Sequence, residues 1–128
     1  MTPEQRRKVA VAHLRSIPKE IADHHVYMGA FMRTNDLMAR SLLLPELLHD
    51  CGTTACAAGW LCKVPALRAE GLTDNRRGVP TYEGRAPFES LASFFGLKVF
   101  EAVHIFGTNP PLYGKAALDR VCDELEAI

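Results

Sequence analysis

The residues best suited to chemistry in this chain are its cysteines, three of which lie between Cys51 and Cys62. The run is His49-Asp50-Cys51-Gly52-Thr53-Thr54-Ala55-Cys56-Ala57-Ala58-Gly59-Trp60. Thr53 or Thr54 suits a helix N-cap, which would place Cys56 in the first helical turn. Free amides and the positive end of the dipole favour a thiolate there. Cys56 or Cys51 is therefore a candidate nucleophile or redox thiol, with His49 or His104 as the base. His49, Cys51 and Cys56 are also a candidate zinc set, with Cys62 nearby. The spacing is not a double CxxC, and Cys56 and Cys62 point to different faces of a helix.

Packing is the stronger reading of the same residues. Cysteine is a small, soft apolar side chain and among the most often buried. Ala, Gly and Cys together suit a crowded helix, and Cys56 and Trp60 share one face. Cys62 and Cys122 read as core filling. His24 and His25 sit between helical turns and read as solvent-exposed, whereas His104 reads as a hydrogen-bonded core histidine. Phe88, Phe94, Phe95, Phe100 and Phe106 also read as core.

The elements that would position these groups are helical. Thr2, Pro3 and Gln5 form a capping-box start for a first helix carrying Ala10, Leu14 and Ile17 inward. Arg6, Arg7 and Lys8 then stand at the dipole end that disfavours cations. Pro18 interrupts this helix, and Ile21, Ala22 and Val26 continue the apolar face. Tyr27 to Met32 reads as a short helix or a turn. Leu37, Met38, Leu42, Leu43, Leu44, Leu47 and Leu48 are expected to supply much of the core. A helix from Thr54 to Val64, apolar on every face, is expected at the centre. Residues 73–86 are polar and rich in Gly, Pro and Arg, and read as an exposed loop or a short hairpin. Arg76, Arg77 and Arg85 make that loop a candidate binding element. Helices ended by Gly96 and Gly107 follow, then an amphipathic last helix with Ala117, Leu118, Val121, Cys122 and Leu125 inward. No strand run and no repeat are visible.

Composition narrows the function. The 128 residues include 48% apolar and 23% charged, as in one globular domain. Fifteen basic and fifteen acidic residues cancel, so nothing pulls the chain towards nucleic acid or an anionic membrane. No secretory signal is visible, and Leu42–Leu48 is too short to span a bilayer. A cytoplasmic location is expected, where an even number of cysteines is not a disulfide framework.

The stretch Cys51 to Trp60 resembles the CGTxACxAGW signature of small proteins of unknown function in bacteria and their phages. Tyr27-Met28-Gly29, Phe95-Gly96-Leu97 and Ile105-Phe106 resemble flanking elements of that family, so the likeness runs from about Ile17 onward. It implies an accessory role, including interference with host defences. The polar stretch 73–86 and the apolar Leu42–Leu48 stretch depart from the pattern and are candidate partner-binding insertions.

The expectation is one all-α domain, 1–128, of five to seven short helices around a central buried helix. Its expected function is non-enzymatic protein binding, with a host protein as the partner and no cofactor. A cysteine-dependent enzyme or redox protein, and a small zinc domain, are the alternatives.

Overall fold

A computed structural model describes residues 1–31, 33–34, 53–75 and 77–128. Leu37 to Cys51, with the apolar Leu42–Leu48 stretch, and Arg76 lie outside the described residues. The described residues are mostly helical. The helices are α1 (Pro3–Ser16), α2 (Lys19–His25), α3 (Ala57–Leu61), α4 (Pro65–Arg68), α5 (Pro87–Phe95), α6 (Val99–Phe106) and α7 (Gly114–Glu126). None is long and apolar enough to cross a membrane.

The expectation of a strand-free chain is corrected by two short antiparallel pairs. β1 (Arg33–Thr34) pairs with β2 (Thr53–Thr54), and β3 (Thr73–Asp74) with β4 (Pro80–Thr81). Two residues per strand leave no period-2 pattern to read. The expected 54–64 helix is shortened for the same reason. Thr53 and Thr54 are extended, and the amides of Ala55 and Cys56 donate to the carbonyls of His25 and Ala30 at 3.0 and 2.9 Å. Those amides are committed across the chain, so α3 starts only after Cys56, which is its N-cap.

α1 begins where its capping box places it: Thr2 Oγ1 accepts from Gln5 N at 3.1 Å, and Gln5 Oε1 accepts from Thr2 N at 2.8 Å. α1 packs on α7 and α5, α5 on α6, and α2 on α7. Between them lie Trp60, Phe94, Phe95 and Phe106, all buried. Phe94 meets Phe95 edge-on at 4.9 Å, and Phe95 stacks on Phe106 at 5.7 Å. Each such side chain contributes about 1.5–3 kcal/mol by leaving water.

The basic residues at the start of α1 resolve their own conflict. Arg6 and Arg7 reach away from their helix and donate to the carbonyls of Phe94 and Phe95, at 3.1 and 2.6 Å. They cover the C-terminus of α5, where cations are favoured. Other ends are held alike. Lys115 Nζ donates to the carbonyls of Arg15 and Ile17 at the end of α1, both at 2.8 Å. Arg120 donates to Ile105 in α6 at 2.9 Å, and Arg68 to Cys62 after α3 at 2.8 Å.

Residues 73–86, expected as an exposed loop or a short hairpin, contain a hairpin. β3 and β4 form a hairpin turned by Asn75, whose Oδ1 accepts from the amides of Arg77 and Val79 at 2.8 and 3.1 Å. Gly78 and Pro80 are buried, while Arg77 and residues 83–86 are exposed.

Candidate functional site

The cysteine motif folds as a crossing point of three chain segments. Residues 55–60 meet residues 25–31, and residues 112–114 lie on the other side. Ala55 accepts from Tyr27 N at 3.0 Å, and Trp60 Nε1 donates to the His25 carbonyl at 3.0 Å. Met28 N donates to Leu112 O at 2.7 Å, and Gly114 N to Val26 O at 3.1 Å. Ala57 and Ala58 are fully buried. A Cβ on Gly59 would stand 1.7 Å from the Phe31 carbonyl oxygen, so only glycine admits that backbone.

At this crossing Cys56 is 1% exposed. Burial pushes its thiol up to about 11, although the amides of Gly59 and Ala58 act in the opposite direction. The helix-start effect is thus present but loses to desolvation. Burial also raises the Cys62 thiol, helped by the charge of Asp74. The Cys122 thiol is raised to about 11, again by burial first. These thiols are poor nucleophiles near neutral pH.

The candidate bases are not assembled around Cys56 in the described residues. His104 is exposed, not a core histidine, and its Nε2 lies 3.0 Å from Glu124 Oε1. His49 and Cys51 lie outside the described residues. No group of three metal-ligating side chains occurs among those described. His25, read as exposed, is 7% exposed beneath the Trp60 ring. Of the arginines proposed for binding, Arg77 is exposed, and Arg85 is exposed with Nη2 at 3.6 Å from Glu83.

Two features escaped the sequence reading. The first is an interior charge cluster. Lys63, only 2% exposed, places Nζ 2.8 Å from Asp74 Oδ2, and Arg68 Nη1 lies 2.8 Å from Asp74 Oδ1. The cluster ties the α3–α4 corner to β3. A lysine between Cys62 and Val64 in an otherwise apolar run was the signal for it.

The second is the outer face of α6. Phe100, read as core, is 70% exposed, with Val99 at 49% and Val103 at 44% beside it. The opposite face, Ala102, Ile105 and Phe106, is buried on the core. A helix with apolar residues on opposite faces that packs on one side only must leave apolar side chains in water. Val103 also forms a wall of a cleft of about 430 Å³ with Met28, Phe31, Phe88 and Phe106, reaching Cys56. Val99 forms a wall of a second cleft, of about 400 Å³, with Arg85, Glu89 and Leu97. The α6 ridge thus separates two hollows.

Comparison of the chain with family models, curated proteins and solved structures returned no match.

Proposed function

We propose that this chain is a non-enzymatic protein-binding module whose recognition surface is the α6 ridge and the clefts beside it. The observation that carries this reading is the exposure of Phe100 between Val99 and Val103. Exposed aromatic side chains beside open clefts are typical anchors of protein interfaces. The exposed Arg85, on the wall of one cleft, supplies a polar rim. In this reading the helices form a bundle gathered around buried α3, and the cysteine motif is its packing centre. With the likeness of residues 51–60 to small bacterial and phage proteins, the reading extends to a phage-encoded modulator acting on a host protein in the cytoplasm. The cysteine-enzyme alternative is disfavoured by the burial of Cys56 and its raised thiol. No described residue set supports the zinc alternative.

The test is affinity capture from bacterial lysate with the wild-type chain, Phe100→Asp and Lys8→Ala. A protein retained by wild type and Lys8→Ala but lost from Phe100→Asp supports the reading. Identical captures by all three chains would sink it.

A further inference from the structure

We draw no further inference here: the strongest candidate, the apolar cleft between α6 and residues 28–31 with the exposed Phe100 ridge beside it, belongs to the surface already described, and nothing in the structure shows what covers it.

Discussion

Gly59 passes directly beneath the carbonyl of Phe31, so closely that a single methyl group on it would stand 1.7 Å from the oxygen. The contact joins α3 to the segment that also supplies Ala30 O to the Cys56 amide. Gly59→Ala must therefore push the two segments apart and break that hydrogen bond. The expected cost is about 3 kcal/mol, despite the higher helix propensity of alanine. Urea denaturation measures it. A change below 1 kcal/mol would show that the crossing is looser than described.

The cations that cover helix ends should matter far more than their exposed neighbours. Lys115→Met removes the donor from the carbonyls of Arg15 and Ile17, and about 1–2 kcal/mol of stability is expected to go with it. Lys8→Met, which loses only an exposed pair with Glu4 at 3.6 Å, should change stability by less than about 0.5 kcal/mol. Equal losses in thermal denaturation would contradict the capping role.

Asp74 holds two cations, one of them interior. Asp74→Ala removes the counter-charge from Lys63 and Arg68 together. A loss of about 1.5–3 kcal/mol is expected, since both cations lose a charge-assisted hydrogen bond at this corner. The double change Lys63→Met with Asp74→Leu should recover most of it, because neither residue then carries a charge into the interior. Failure to recover would mean that the cluster sets the hairpin geometry itself.

Thiol reactivity should track unfolding rather than pH. With Cys56 and Cys122 each raised to about 11 by burial, almost no thiolate exists at pH 8. Maleimide labelling of Cys56, Cys62 and Cys122, followed by peptide mass spectrometry, should be slow in the native chain and fast in denaturant. Rapid native labelling of Cys56 would revive the nucleophile reading.

Acid should loosen the start of α7. The Asp23 carboxyl is held below its ordinary value, first by the hydrogen bond from Lys19 at 2.5 Å and then by the Lys115 amide at 3.1 Å. A lowered folded pKa means that its stabilisation is fully present above the ordinary carboxylate value, about 4. It is lost as pH falls through the lowered folded value. Asp23→Asn should flatten this acid limb of the Tm-against-pH curve. An unaltered limb would assign the acid sensitivity to other carboxylates.

The helices of the chain were legible where caps and breakers act locally. Thr2 and Gln5 mark the start of α1, Pro87 begins α5, and Gly96 ends it with φ 66°. What the sequence hid is set by distant partners. Cys56 looks like a helical first-turn residue until the Ala30 carbonyl claims its amide. Arg6 and Arg7 look misplaced until the end of α5 arrives beside them. Phe100 looks like core because hydrophobicity says how much surface a residue would hide, not whether anything comes to hide it. The candidate site was legible in part. The motif drew attention to Cys56, whose chemistry its burial suppresses, and Arg85 does border a cleft. The ridge between the clefts depended on knowing which side of α6 meets the core.

The grip of Lys115 on the end of α1 also bears on how the chain comes to be folded. α1 leaves the ribosome with its last carbonyls and much of its buried face waiting for a helix that is synthesised about a hundred residues later. A nascent chain that lacks Gly114 to Glu126 must keep the apolar side of α1 in water or lend it to a chaperone. Folding of this small protein is therefore a late event, completed only after α7 has emerged.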